Sequence, residues 1–232
     1  MPVAVAEMTY NVNAALTLNG NEVDNDTYSV KRYADKILSD DFRDVFLENH
    51  NEATYQNLIA LVKTMLNYGA KAQINFERNT DYLADEDIDY KMPKVTAAMI
   101  TTEASDMASG LDDYGLQYAG STIVYLTKTS IRHYYTVTDP DDFNAVKDNV
   151  TFNGEKVDYY TKDGKIFFEL TDVAAADLDK PYTLTIGDSS YNYCVLDHVR
   201  DSLSASSAPY ATKQLVSATY WYSQAANAYF GS

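Results

Sequence analysis

The chain is 232 residues long and 46% of its residues are hydrophobic, which excludes an intrinsically disordered protein and predicts one large domain or two small ones. It carries 18 basic and 34 acidic residues, and the net charge of −16 disfavours nucleic acid and anionic membranes as partners. This balance is typical of a protein with neutral or cationic partners, or of one that binds calcium. The single cysteine, Cys194, excludes an internal disulfide, and no apolar run approaches the roughly 20 residues of a membrane span.

The first part of the chain predicts strands followed by helices. Apolar residues alternate over 3–23, and the turn signal Asn19-Gly20-Asn21 interrupts them. Ser29 is placed to cap a helix that continues at helical spacing to Leu38. The acidic stretch 39–53 predicts a short helix or an ordered loop, and the clearest helix follows at about 53–76. Gly69, in the middle of that helix, predicts the close approach of another backbone.

An acidic crossing over 79–94 leads to a middle region, 95–187, in which every signal indicates β-structure. Turn chemistry at Asp139-Pro140, Asn153-Gly154, Asp163-Gly164 and Gly187-Asp188 separates the segments. Short strands at this spacing predict an immunoglobulin-like sandwich. The predicted strands lie near 95–101, 115–119, 121–127, 130–138, 149–153, 156–160, 164–170 and 181–186.

The chain also contains an internal repeat. Residues 28–38 align with 193–203, and a second block from Leu61 to Phe76 aligns with Leu215 to Phe230. The first copy is longer by 11 residues between its two blocks. Two copies are too few for a solenoid, so the repeat predicts a duplicated unit of strand, turn and two helices. The expected fold is α+β, with an Ig-like β-sandwich flanked by two helical hairpins. Its segments are 1–94, 95–187 and 188–232, which we expect to form one compact body.

Several phrases resemble a module of secreted, cellulosome-associated or surface proteins of anaerobic gut bacteria. They are 27–38 (TYSVKRYADKIL), 66–73 (LNYGAKAQ), 115–121 (GLQYAGS) and 131–135 (IRHYY), and the resemblance covers nearly all of residues 10–230. Such modules lie beside glycoside hydrolases, dockerins and leucine-rich repeats, and several noncatalytic ones look like carbohydrate-binding modules. The resemblance implies an extracellular protein, at the cell surface or in a cellulosome, that belongs to a multimodular enzyme or scaffold. It supplies no set of binding residues.

Tyrosine is unusually frequent, with 21 residues against one tryptophan. Tyrosine combines an apolar ring with a polar tip, so rows of tyrosines suit stacking on sugar rings as well as ordinary sheet surface. In any adjacent pair on a strand, one ring points outward. Trp221 is a second binding candidate or a half-buried packing residue, and His133 is a minor candidate. The predicted platform consists of Tyr125, Tyr134, Tyr135, Tyr159 and Tyr160, with Arg132 and Gln117 as polar partners.

Acidic clusters could bind a structural calcium ion, although none matches an EF-hand loop. They are Asp24/Asp26, Asp85/Glu86/Asp87/Asp89, Asp112/Asp113 and Asp139/Asp141/Asp142. Hydrolase and phosphate-binding motifs are missing from the sequence, so it predicts no enzyme. The functional hypothesis is a noncatalytic module that binds a plant cell-wall polysaccharide such as β-glucan or xyloglucan. The alternative is a structural spacer or protein–protein interaction module of a large secreted or surface protein.

Overall fold

The computed structural model describes residues 4–126 and 128–231, and the side chains of all of these except residues 16 and 23–25. Backbone contacts divide the chain into two units. The first comprises the described residues up to Lys94 together with those from Ser207 onward, and the second comprises Val95–Ser206. The division falls inside the predicted segment 188–232. Within the described ranges, no helix has the length and apolar character that crossing a membrane requires.

The fold is mixed α+β with several antiparallel sheets. The helices are α1 (Val30–Ile37), α2 (Asp40–Leu47), α3 (Glu52–Phe76), α4 (Pro140–Val146), α5 (Val195–Ser204) and α6 (Tyr210–Phe230). The strands are β1 (Val12–Leu18), β2 (Asn21–Tyr28), β3 (Leu116–Tyr125), β4 (Thr129–Val137), β5 (Thr151–Phe152), β6 (Glu155–Lys156), β7 (Tyr159–Lys162), β8 (Lys165–Val173), β9 (Tyr182–Ile186) and β10 (Ser189–Tyr193).

The first unit begins with the antiparallel hairpin of β1 and β2. Asn19 and Gly20 both have positive φ angles, 54° and 80°, which is the conformation that a two-residue hairpin turn needs. Ser29 caps α1 as predicted, because its Oγ accepts a hydrogen bond of 3.1 Å from the backbone N–H of Arg32. The predicted alternation before the hairpin is wrong at Val5–Glu7, which forms a 3-10 turn; Val3 lies outside the described residues.

Helices α3 and α6 pack against each other in the first unit. The acidic stretch before α3 forms α2, as the sequence allowed, and Asn51 caps α3 by accepting a hydrogen bond of 2.9 Å from the N–H of Thr54. The backbone approach predicted at Gly69 is wrong, because side chains fill that space. A Cβ at Gly69 would lie 2.6 Å from Sδ of Met8 and 3.3 Å from Cβ of Ala84.

The second unit contains two four-stranded antiparallel sheets, with strand orders β3-β4-β8-β7 and β10-β9-β5-β6. Both sheets contribute to one hydrophobic core, which includes Ile131 and Phe168 of the first sheet and Leu184 and Ile186 of the second. The strands alternate buried and exposed residues, so one side of each sheet faces this core.

Two parts of the second unit differ from the predicted elements. The strand expected at 95–101 is irregular, with a 3-10 turn at Ala97–Met99; Val95 and Ile100 are buried, but the segment pairs with no described strand. The turn expected at Asp139-Pro140 is instead the start of α4. Asp139 Oδ1 accepts the N–H groups of Asp141 and Asp142, and Pro140, which has no N–H, suits the first helical position.

Candidate functional site

One side of the sheet β3-β4-β8-β7 carries a row of residues, one from each strand. Gly120 pairs with Tyr134, Tyr134 with Phe167, and Phe167 with Tyr160. Residues that pair directly across strands point to the same side of a sheet, so these four lie on one side. On β4 and β8, the neighbouring residues Tyr135, Ile166 and Phe168 belong to the core. This side, with its aromatic row, is the outer face of the sheet.

Phe167 is the centre of the aromatic row and is covered by three side chains. Its ring centroid lies 5.2 Å from that of Tyr134 and 5.4 Å from that of Tyr160, whose plane is inclined by only 28°. The guanidinium carbon of Arg132 lies 4.8 Å from the same centroid. Phe167 is therefore only 6% exposed, whereas Tyr160 is 55% exposed. The geometry holds the Tyr160 ring in place while leaving much of it accessible to solvent.

A charged pair lies beside the aromatic row. Arg132 and Glu169 pair across β4 and β8, and Nε of Arg132 lies 3.1 Å from Oε2 of Glu169. Desolvation acts to lower the pKa of Arg132, but the adjacent Glu169 carboxylate outweighs it and raises that pKa. Both side chains are largely covered, so their orientation is fixed. They give the outer face fixed hydrogen-bonding groups next to aromatic rings.

A depression of about 260 Å³ opens on the other side of Tyr134. Its lining includes Gly120 and Thr122 of β3 and the lysines Lys162 and Lys165 at the ends of β7 and β8. Apart from Gly120 itself and its two chain neighbours, no residue has an atom within 4 Å of the position that a Cβ of Gly120 would occupy, so the missing side chain leaves this space open. The volume is just below the roughly 300–1,000 Å³ of pockets that enclose drug-sized ligands, so it suits a single ring.

The outer face brings together four of the eight predicted site residues. Tyr134 and Tyr160 belong to the aromatic row, and Arg132 lies over Phe167 within it. Gln117 is exposed on β3 and pairs with Thr136, which alternates with the buried Tyr135 and so lies on the outer face. These four residues can contact one ligand laid across the sheet.

The other three predicted tyrosines of this unit point away from the outer face. Tyr135 is fully buried in the core and cannot stack on a ligand. Tyr125 is half-buried against the same core. Tyr159 points to the opposite side of β7 from Tyr160, and its ring meets that of Phe143 edge-on at 5.2 Å. For Tyr135 and Tyr159 the reason is the two-residue period of a strand, which sends adjacent tyrosines to opposite sides.

Trp221 lies on α6 in the first unit. Its side chain is half-buried, its indole Nε1–H donates a hydrogen bond of 3.0 Å to the carbonyl oxygen of Pro93, and its ring meets Tyr220 edge-on at 5.1 Å. These contacts favour the packing interpretation over the binding one.

The sequence interpretation missed Phe167, Glu169, Lys162 and Lys165. For Phe167 and the two lysines, a signal was present in the Asp163-Gly164 turn. A two-residue turn fixes the register of its hairpin, so counting outward from it pairs Lys162 with Lys165 and Tyr160 with Phe167, as the structure has them.

A buried hydrogen-bonded chain crosses the core of the second unit. Oη of Tyr118 lies 2.6 Å from Oγ of Ser121, which is hydrogen-bonded to Nδ1 of His133, and Nε2 of His133 lies 2.7 Å from Oη of Tyr182. Burial, aided by the charge of His198, lowers the pKa of His133 to about 3. So weak a base does not activate a serine efficiently. His133 is fully buried, so the structure removes it from the ligand-binding candidates.

Members of three of the four acidic clusters form caps or ion pairs, Asp26 with Arg32 among them. Asp139 caps α4, Asp85 lies 3.1 Å from Lys71 Nζ, and Asp87 lies 3.3 Å from Lys31 Nζ. The side chain of Asp24 lies outside the described residues. Across the described residues, no three His, Cys, Asp or Glu side chains are grouped as metal ligands.

Comparison of the chain with protein-family models, with curated proteins and with solved structures gave no match.

Proposed function

We propose that this protein is a noncatalytic carbohydrate-binding module whose ligand lies across the outer face of the second unit. The observation that carries the proposal is the exposed ring of Tyr160, held by Phe167 and followed in register by Tyr134. A ring already fixed by its neighbour loses little conformational freedom on binding, so its stacking contributes more to affinity.

The polar groups around the row fit the chemistry of a sugar. A sugar ring has an apolar face, which stacks on an aromatic ring, and a rim of hydroxyl groups. Gln117 provides an amide, and Arg132 and Glu169 provide a donor and an acceptor. Because the face is an open sheet side, it suits a polysaccharide chain. We propose a plant cell-wall β-glycan, either β-glucan or xyloglucan, as the ligand.

The finer architecture is part of the same proposal. We propose an Ig-like β-sandwich for the middle of the chain, supported by two antiparallel sheets that share one core. We also propose that the two helical hairpins are a duplication, supported by the packing of α3 on α6, the helices that the internal repeat aligns. We propose an extracellular location, in a cellulosome or at the cell surface, with a parent enzyme or scaffold that the module keeps near its polysaccharide.

The test is affinity gel electrophoresis against xyloglucan, mixed-linkage β-glucan, glucomannan, xylan and pectin, with and without calcium. We expect retardation by xyloglucan or β-glucan, and an affinity loss of about tenfold in Tyr160→Ala, as for the anchor residue of an interface. Tyr210→Ala is the matched control, since Tyr210 is 78% exposed but lies in the first unit. Absence of retardation by every glycan would overturn the proposal.

A protein partner is the second candidate, and a surface of the first unit favours it. A groove of about 430 Å³ between the hairpin and α1 is lined by Tyr10, Val12, Ala14, Tyr28 and Tyr33 among others. Tyr10 and Tyr33 are 59% and 70% exposed. Exposed aromatic residues around an apolar groove are typical of interaction sites. If glycans fail to bind while substitutions in this groove abolish capture by a parent scaffold, the interaction module is the better description.

A further inference from the structure

Two lysines face each other at the end of the outer face. Lys162 and Lys165 pair directly across the hairpin of β7 and β8. Asp163 and Gly164, with φ angles of 51° and 73°, form the two-residue turn between them and fix this pairing. Lys162 is two residues from Tyr160 and Lys165 is two residues from Phe167, so both lysines share the side of the sheet that bears these rings.

Neither lysine forms an ion pair with any residue that the structure describes, in a chain with nearly twice as many acidic as basic residues. Like charges directly opposite each other on a sheet are destabilising. The arrangement therefore has no evident stabilising role, and a bound anion between the two ammonium groups would relieve their repulsion.

The lysines border the depression beside Tyr134. A sugar ring in this space would meet the aromatic ring of Tyr134, with Gly120 leaving room beneath it and the two ammonium groups at its rim. Asp163, which also lines the depression, can accept a hydrogen bond from a sugar hydroxyl. The two lysines and Asp163 leave a local charge of +1, which attracts a single carboxylate although the chain as a whole is acidic.

We propose that this depression is a subsite for an acidic sugar, a pyranose ring that carries a carboxylate, within the glycan bound on the outer face. The inference rests on the proposed carbohydrate-binding function and extends its ligands from neutral β-glucan and xyloglucan to β-glycans that also carry acidic sugars. Lys162 and Lys165 bind the carboxylate, and Tyr134 contacts the ring.

The test is calorimetric titration of the full chain with three ligands that share one backbone. They are a mixed-linkage β-glucan fragment, the same fragment with C6 hydroxyls oxidised to carboxylates, and the same fragment sulfated. We expect the carboxylated fragment to bind about tenfold more tightly than the neutral one, a preference that falls as salt is added. In Lys162→Gln/Lys165→Gln the preference should shrink to less than about twofold.

The matched control is Lys147→Gln/Lys156→Gln, which removes two lysine charges elsewhere in the same unit and should keep the preference. Equal affinity for the neutral and carboxylated fragments would overturn the subsite and leave the proposed function standing. Failure of all three fragments to bind would overturn both. If the sulfated fragment binds as tightly as the carboxylated one and the control loses as much as the test variant, the attraction is general and the subsite is overturned.

Discussion

The rings of Tyr68 and Tyr222 stack on each other, with centroids 5.3 Å apart and planes inclined by 19°. Tyr68 is on α3 and Tyr222 on α6, and the internal repeat aligns these two positions with each other. In a symmetric pairing of two related units, a residue next to the axis contacts its own equivalent. The stack is the contact that a duplicated helical unit packed on itself would form.

This stack should be measurable as a coupling free energy. In a double-mutant cycle of Tyr68→Leu and Tyr222→Leu, we expect the two losses in the free energy of unfolding to be non-additive by about 0.5–1.5 kcal/mol. Urea denaturation of the four proteins gives the value. Simple additivity would show that each ring contributes through its buried area alone.

Phe167 and Phe168 are adjacent residues with opposite roles, because they point to opposite sides of β8. Phe167→Leu removes the ring on which Tyr160 stacks, so we expect glycan affinity to fall several-fold. Phe168→Leu changes the core instead, and we expect it to lower the free energy of unfolding by about 1–2 kcal/mol with little effect on affinity. Glycan titration and urea denaturation of both variants check this. Equal losses of glycan affinity in the two variants would contradict the assignment of Phe167 to the outer face and Phe168 to the core.

The buried histidine predicts a dependence of stability on pH. His133 has a pKa of about 3 in the folded protein against 6.5 for an ordinary histidine, so below pH 6.5 the unfolded chain binds a proton that the folded protein does not. The free energy of unfolding should therefore be highest above pH 6.5 and fall as the pH is lowered from 6.5 towards 3. The expected slope approaches about 1.4 kcal/mol per pH unit for this group.

Burial also lowers the pKa of His198, so this histidine too makes the free energy of unfolding fall as the pH is lowered. Hydrogen bonds lower the pKa values of the exposed carboxylates Glu52 and Asp87. Their contribution to the free energy of unfolding is therefore lost only when the pH falls below their ordinary pKa values of 4.5 and 3.8. Urea midpoints measured above pH 5 therefore isolate the histidines. His133→Asn should flatten the profile in this window, and an unchanged profile would contradict the assignment.

Gly69 marks a position where the first unit has no room for a side chain. Gly69→Val places carbon atoms against Met8 and Ala84, and we expect a loss of about 1–3 kcal/mol in the free energy of unfolding. Ala60→Val is the control, since it puts the same side chain on an exposed position of α3 and should cost only about 0.5 kcal/mol. Thermal or urea denaturation gives both values. Similar losses in the two variants would show that β-branching, and not the contact with Met8, is responsible.

Local signals in the sequence predicted many elements of the fold. Asn19-Gly20 and Asp163-Gly164 specify hairpin turns because few other residues adopt positive φ angles readily, and Ser29 specifies the start of α1 because its side chain caps the backbone. Asp139-Pro140 carried a helix-start signal of the same local kind, but it is also a turn signal, and only the packing of α4 distinguishes the two.

Which tyrosines form the proposed binding surface depends on which residues are buried. The sequence shows that one ring of each adjacent tyrosine pair points outward, but not which one. Packing of the two sheets decided that Tyr134 is outside and Tyr135 inside, and that His133 is enclosed in the core. In the first unit, tertiary packing decided that Trp221 donates its indole N–H to the carbonyl oxygen of Pro93. Turns and caps depend on neighbours along the chain, so the sequence determines them by itself. Burial depends on residues far apart in the chain, so only the tertiary structure decides it.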